Sequence, residues 1–236
     1  MHLSSLKYLF LAGVGFTACA LAENGYADVP TDFVSLFNEQ DLSGWKGLVD
    51  PRKKATLSAE ELLKAQEEAD LRMRMHWHVE YGVLAFNGGG ENLCTVEDYA
   101  DFELYVDWKI ETAGDSGIYL RGTPQVQMWD ADHEPYWKHG ADKGSGGLWN
   151  NRDHARFPLA KVDKPAGEWN TFFIRMVEER VTVKLNGCLV VDNVIMENYW
   201  EPGKPIATKG PIELQSHGDK LWFRNLYVRE LTDRTR

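Results

Sequence analysis

Four stretches carry side chains able to do chemistry, and each presents them on one face. In residues 102–109, Phe102, Leu104, Val106 and Trp108 alternate with Glu103, Tyr105, Asp107 and Lys109. In residues 115–121, Ile118 and Leu120 face one way, and Tyr119 and Arg121 the other. In residues 125–130, Gln125 and Gln127 oppose Val126 and Met128. Far downstream, Ile212 and Leu214 alternate with Glu213, Gln215 and His217. A period of two means strands with one apolar and one polar face. Carboxylates, an imidazole, a guanidinium and amides are the parts needed to take a proton, return one and hold the charge between. We read the polar face as the floor of a groove. The competing reading is a salt-bridge network of Asp107, Arg121 and Glu213 across neighbouring strands. Asp130 shares parity with Val126 and Met128, so it reaches the groove only where the strand ends or bulges.

The positioning elements follow from the same periodicity. Residues 33–37 form a first strand, and residues 221–228 a last one, with the two ends of the chain paired in one sheet. Residues 76–80 and 82–86 form a hairpin that puts His76 and His78 on one face. A metal there lacks a third ligand nearby, so the pair reads as structural. Arg180 to Leu185 alternates cleanly, and Asn186-Gly187 predicts a type I′ turn. One segment differs in texture. Ser58 and Glu61 make a capping box, and Leu62, Ala65, Ala69 and Met73 recur at helical steps. This predicts a helix inserted near 57–75. Residues 131–164 are too long for an ordinary connection and rich in Trp and His, so they are expected to fold over the polar face as one groove wall, bringing Trp149. The Gly144–Gly147 run lacks the Lys-Ser/Thr ending of a phosphate loop. Many short strands with Asn- and Gly-rich turns, and no repeat or linker, predict an all-β protein: a jelly-roll sandwich of two antiparallel sheets, one domain over 23–236.

Composition sets the outer bounds. The chain has 236 residues, 9 of them Trp, and a formal net charge of -10. That charge argues against nucleic acid and anionic membranes as partners. Residues 1–22 read as a signal peptide: Lys7, a short apolar run, and Ala20-Leu-Ala22 as cleavage site. The expected location is secreted or periplasmic, with lipid anchoring through Cys19 as the lesser alternative. The apolar run is too short for a transmembrane segment. Cys94 and Cys188 could pair in an oxidising compartment, or stand as two buried thiols. The sequence does not give the oligomeric state.

Six motifs in order carry a resemblance. They are Leu36-Phe-Asn-Glu-Gln-Asp-Leu-Ser-Gly-Trp45, Asp115-Ser-Gly-Ile-Tyr-Leu-Arg121, Gly167-Glu-Trp-Asn170, Leu185-Asn-Gly187, Gly210-Pro-Ile-Glu-Leu-Gln-Ser-His-Gly218 and Phe223-Arg-Asn-Leu226. Spanning about residues 33 to 231, they resemble the 3-keto-disaccharide hydrolase family. The resemblance implies a concanavalin-like jelly roll and an extracytoplasmic enzyme. The substrate implied is a 3-keto-glycoside, an oligosaccharide or other glycoside, opened by 1,2-elimination of the aglycone with hydration of the resulting glucal. Two departures stand out. Asp115 occupies a position where the family more often has Asn. Gln125 stands where the family often has Glu, which leaves that position without a proton to give or take.

A ketone at C3 acidifies the proton on C2, so a base can remove it and the group on C1 then leaves. This route needs a base near C2, a donor or positive group at the C3 oxygen, and an acid at the leaving oxygen. On face parity, His217 or Asp107 is the base and Arg121 holds the enolate or a sugar hydroxyl. Glu213 is the acid or the partner of Arg121. Tyr119, Gln125, Gln127, Asp130, Trp149 and Gln215 line the substrate site. A divalent metal on Asp107, Glu213 and His217 would act as a Lewis acid. Two other readings compete: a non-catalytic carbohydrate-binding module that stacks sugars on Trp129, Trp137 and Trp149, and a structural envelope protein.

Overall fold

The computed structural model describes residues 30–232, so the expected signal peptide of residues 1–22, with Cys19, lies outside the described residues. The chain forms two antiparallel sheets packed face to face. The large sheet contains β1 (Val34–Ser35), β3 (Trp77–Glu80), β4 (Val83–Phe86), β6 (Phe102–Ile110), β9 (Asn170–Val177), β10 (Arg180–Leu185), β11 (Cys188–Ile195) and β13 (Leu221–Glu230). Its order is β11-β10-β9-β6-β13-β4-β3, with β1 also paired to β13. The small sheet contains β2 (Trp45–Gly47), β5 (Leu93–Thr95), β7 (Asp115–Leu120), β8 (Thr123–Trp129) and β12 (Glu213–Leu214), in the order β2-β5-β12-β7-β8. The period-two residues fill the space between the sheets: Val106, Trp108, Phe172 and Phe223 from one side, Ile118, Val126, Met128 and Leu214 from the other, all fully buried. The pairing of β1 with β13 joins the two ends of the chain as the sequence predicts.

One expectation fails in an instructive way. β6 does not lie beside β7 and β8. It pairs with β9 and β13 in the large sheet, while β7 and β8 pair in the small one. The turn after Ile110, closed by the Gly114 N–H to the Glu111 carbonyl at 3.0 Å, carries the chain across the sandwich. Asp107 therefore faces outward from the opposite side of the molecule to Tyr119 and Gln127. The same distinction separates Cys94, a buried free thiol on β5, from Cys188 on β11 at the margin of the large sheet, so no bridge joins them.

The inserted helix is α2 (Ala59–His76), preceded by a single turn, α1 (Pro51–Lys54). Its capping box forms as the sequence predicts. Glu61 N–H donates to Ser58 Oγ at 3.3 Å, and Ser58 N–H donates to Glu61 Oε2 at 2.8 Å. The helix runs on through His76 until Trp77 turns into the core, so His76 and His78 do not share a strand face. His76 Nδ1 lies 3.0 Å from Asn87 Oδ1, and His78 stands exposed 3.9 Å from Glu80. Docked on β2, the helix takes over that strand's free hydrogen bonds. Gly47 N–H donates to Asp70 Oδ1 and Gln66 Nε2 to the Gly47 carbonyl, both at 2.9 Å. The approach is so close that a Cβ on Gly47 would stand 2.3 Å from the Ala69 carbonyl oxygen. Among the described residues no helix is long and apolar enough to cross a membrane.

Gly47→Ala is expected to push α2 off β2 and lower stability by about 1–3 kcal/mol, the usual cost of overpacking. Urea unfolding followed by circular dichroism measures it, and a midpoint equal to the parent's would refute the close docking.

Candidate functional site

The outward face of the small sheet gathers three rows of side chains, set by strand register. In the first, Lys46 pairs with Cys94, Cys94 with Glu213, and Glu213 with Tyr119. In the second, Gln215 N–H donates to the Gly117 carbonyl, and Gly117 pairs with Gln127. In the third, His217 stands beside Asp115, its Nδ1 3.9 Å from Asp115 Oδ2, and Asp115 pairs with Trp129. β12 is only two residues long, and past the Gln215 N–H to Gly117 carbonyl bond the backbone is held by side chains. Asn92 accepts from Ser216 N–H at 2.9 Å through its Oδ1 and donates to Glu213 Oε2 at 3.2 Å through its amide. Gly117 leaves room for Gln125 to lie flat, since a Cβ there would stand 2.9 Å from Gln125 Cδ.

The electrostatics of this face come from burial. Glu213 is 2% exposed and has Asn92 and, more distantly, Lys46 to favour its charge; burial outweighs both and raises its carboxyl to about 7. Burial also raises Asp115 above the usual carboxylate range, opposed by His217 and by Gln127, whose amide donates to Asp115 Oδ1 at 2.7 Å. Gln125 in turn donates to Gln127 Oε1, so Gln125, Gln127 and Asp115 form one chain. Tyr119 is pushed well upward, first by burial and then by Glu213, so it keeps its hydroxyl proton. Its oxygen accepts from Gln215 Nε2 at 3.3 Å, while Gln215 Oε1 is buried with no hydrogen-bond partner among the described residues. Beside Glu213 opens a hollow of about 780 Å³, walled by α1, Gln66, Trp200 and the 205–211 segment. That volume suits a small-molecule ligand.

Glu213, Gln215, His217, Tyr119, Gln125 and Gln127 thus come together, and four other expected site residues do not. Asp107 is bound on the outer face of the large sheet by Thr171 Oγ1 at 2.6 Å, Asn225 Nδ2 at 2.8 Å and Arg224 Nε at 3.2 Å. Arg121 leaves the face because the chain turns there with positive φ; its guanidinium binds Asp101 at 2.7 Å and the carbonyls of Ala100 and Glu178. Asp130 follows the end of β8 and ties a turn, accepting from Ala113 N–H at 2.9 Å and Asp132 N–H at 3.1 Å. Trp149 packs against the small cluster of Trp129, Ala131 and Ala141, with Arg156 4.6 Å above its ring. The supposed network of Asp107, Arg121 and Glu213 is therefore absent, each having other partners. Asp107, Glu213 and His217 cannot share one cation, and among the described residues no three His, Cys, Asp or Glu side chains are grouped to hold one. The expected row of three Trp faces is incomplete: Trp129 is 4% exposed, whereas Trp137 is exposed with its Nε1 on the Ala131 carbonyl.

The long connection supplies a wall in part. Its first 3-10 helix, Glu134–His139, brings His139 within electrostatic range of Asp115, which also acts on Tyr136. The remainder runs along β8, where Gln127 exchanges backbone hydrogen bonds with Gly146 and Gly147. A larger cleft of about 1120 Å³ on the far side of Arg121 is lined by His154, Glu197 and Met196 and touches none of the three rows. Sequence reasoning passed over Asp115, Asn92 and Asp219, the last accepting from Asp115 N–H at 2.9 Å. Asp115 had a signal: both departures from the family pattern, Asp115 and Gln125, meet here in one hydrogen-bonded chain.

Two antiparallel sheets with this strand order make the protein a concanavalin-like jelly-roll sandwich, the fold of solved structures from Parabacteroides distasonis named "putative glycosyl hydrolase". One is 24% identical with a TM-score of 0.64, covering 85% of this chain and 94% of that one. A second is 27% identical with a TM-score of 0.63, covering 85% of this chain and 84% of that one. Residues 32–229 match the 3-keto-alpha-glucoside-1,2-lyase-like domain, and the chain belongs to that family. A relative from Bacteroides thetaiotaomicron named 3-keto-disaccharide hydrolase is 24% identical over 89% of this chain and 83% of its own length.

The raised carboxyl gives a stability test. Glu213 titrates near 7 when folded and near 4.5 when free, so the folded state holds the extra proton and stability falls as pH rises between those values. Glu213→Gln removes that cost. It should match the parent near pH 4.5 and exceed it at pH 8 by about 3 kcal/mol. Denaturant unfolding at the two pH values reads the difference, and an offset independent of pH would overturn the assignment.

Proposed function

We propose that the chain is a carbohydrate-active enzyme that cleaves 3-keto-glycosides by 1,2-elimination on the outward face of the small sheet. The observation that carries this is Glu213, a carboxyl titrating near neutrality, on the same face as the Asp115–His217 pair. Family membership supplies the sugar chemistry.

His217 removes the proton on C2. The C2–H electrons pass onto the C3 oxygen, and Asp115 offsets the charge of the imidazolium. Tyr119 is the donor at that oxygen, because its lone pair already serves Gln215 and its own proton remains to give. The electrons then return to form the C1–C2 double bond, and the C1–O bond breaks. Glu213 hands its proton to the departing oxygen. Glu213 lies on β12 and His217 just beyond its end, beside Asp115, so the sugar is held across Gln215 between them. Gln215 Oε1 accepts a sugar hydroxyl, and the hollow beyond Glu213 receives the aglycone. Water added across the new double bond completes a net hydrolysis. Lys7 and the apolar run after it support a site of action outside the cytoplasm.

The purified protein should release aglycone from a 3-keto-glucoside. His217→Ala and Glu213→Gln should each lower kcat by about 10²- to 10⁴-fold. Asp107→Ala should leave turnover per folded molecule unchanged. Because Glu213 acts protonated, kcat should fall as pH rises through about 7. No turnover of any keto-sugar by the parent, or full activity in both site variants, would remove this reading.

A further inference from the structure

The outward face of the large sheet is unlike the rest of this acidic chain. Across β10, β9, β6 and β13 the outward positions carry six cations: Arg180, Lys184, Arg175, Lys109, Arg224 and Arg229. Against them stand two carboxylates, Glu103 and Asp107, on a molecule with a net charge of -10. Glu103 is shared by Arg175, at 2.9 Å, and Arg229. Lys109 and Lys184 have no carboxylate partner among the described residues. Each rests on aromatic rings instead. Lys109 Nζ lies 4.6 Å from the Trp222 ring centroid and 5.1 Å from that of Trp169, and Lys184 Nζ lies 5.8 Å from that of Phe173.

The rings form a continuous course between the cations. Phe33, Tyr105 and Phe173 follow one another at centroid distances of 5.2 and 4.9 Å. Register fixes the order: Tyr227, Tyr105, Phe173 and Lys184 make one row across four strands, and Arg229, Glu103 and Arg175 make the next. Packing on one another leaves the side chains of Arg175, Arg224 and Arg229 between 31% and 39% exposed. The cations are thus pre-set on rigid strands, which lowers the entropy cost of receiving an anion.

We infer that this face is a second carbohydrate-binding surface, one that takes an acidic polysaccharide. The rings hold the cations flat against the face, Arg224 4.2 Å from the Trp169 centroid and Arg229 4.8 Å from that of Phe33, as Lys109 and Lys184 lie over theirs, and the cations so held meet the carboxylates of uronate units. The charge complementarity is local: six positive groups on one face of a chain that elsewhere repels anions. A lipid surface fits less well, because the rings are inset among their neighbours and do not project to wedge between lipids. The surface lies on the opposite side of the sandwich from Glu213, so the inference does not depend on the proposed reaction. It would hold the enzyme on a charged polymer while the other face remains free.

The test measures binding of the purified protein to polygalacturonate, to the same polymer fully methyl-esterified, to anionic phospholipid vesicles and to duplex DNA, across a salt series. Polygalacturonate should bind and weaken with salt, and the methyl ester should not bind. Lys109→Glu combined with Lys184→Glu should weaken polygalacturonate binding by about tenfold or more, a loss in the range of close charge pairs. Lys109→Arg combined with Lys184→Arg should retain it. Both variants should unfold at the parent's temperature within a few degrees and release aglycone at the parent's rate. Absence of polygalacturonate binding, equal binding of the methyl ester, unchanged binding by the glutamate variant, or tighter binding to vesicles or DNA would each overturn the inference.

Discussion

The guanidinium of Arg121 holds together parts of the chain that share no hydrogen-bonded ladder. It stands in a two-residue turn between β7 and β8, with φ of 55° there and 71° at Gly122. Such turns favour Asn-Gly, and a long side chain at the first position is a strained choice. The strain is offset by what the side chain reaches. Asp101 at the start of β6, the Ala100 carbonyl and the Glu178 carbonyl in the β9–β10 turn all receive its N–H groups. Asp101 also accepts from Glu178 N–H. The end of the small sheet is thereby pinned to the end of the large one by a buried ion pair whose Asp101 Oδ1 also accepts from backbone. Ions buried without such support are costly, so this joint tolerates little change.

With that end fixed, the outward face of the small sheet inherits a defined spacing. β12 contributes only two paired residues, yet Asn92 extends its hold to Ser216 and Glu213. Gln125, Gln127 and Asp115 bond sideways to one another, as do Gln215 and Tyr119, on a largely buried face. This is why burial, and not a neighbouring anion, dominates the shifts at Glu213, Asp115 and Tyr119. A face built this way has low local dielectric and fixed dipoles before any ligand arrives, the condition under which charge developing on a substrate is best stabilised.

What could be read from the sequence divides along a physical line. Face parity is local, and it was right at Tyr119, Gln127, Glu213 and His217. The capping box at Ser58 and the turn at Asn186-Gly187 were legible for the same reason: each is decided within a few residues. Sheet membership is decided by partners far along the chain. Asp107 has the same alternation as Gln127 and lands on the other side of the sandwich, because β6 finds β9 and β13 rather than β7. Arg121 misled for a different reason: a turn reverses the direction that a strand would have given it. Asn92 was invisible as a clamp, since its two partners lie more than 120 positions away. The leader, Cys19 and secretion rest on residues outside those described.

The lateral margins of the small sheet show how the chain manages exposure. At β2, Asp70 and Gln66 of α2 occupy the free N–H and C=O of Gly47; at β8, Gly146 and Gly147 occupy those of Gln127. An open strand is a template on which a stranger's strand can assemble, and exposed margins are the usual starting point of fibrils. Here a helix shields one margin and a folded-back loop the other, both at strands that flank the face carrying Glu213 and Asp115. Strand accretion on this sheet thus meets an occupied position at Gly47 and another at Gln127, set by backbone and by helix side chains and not by the floor.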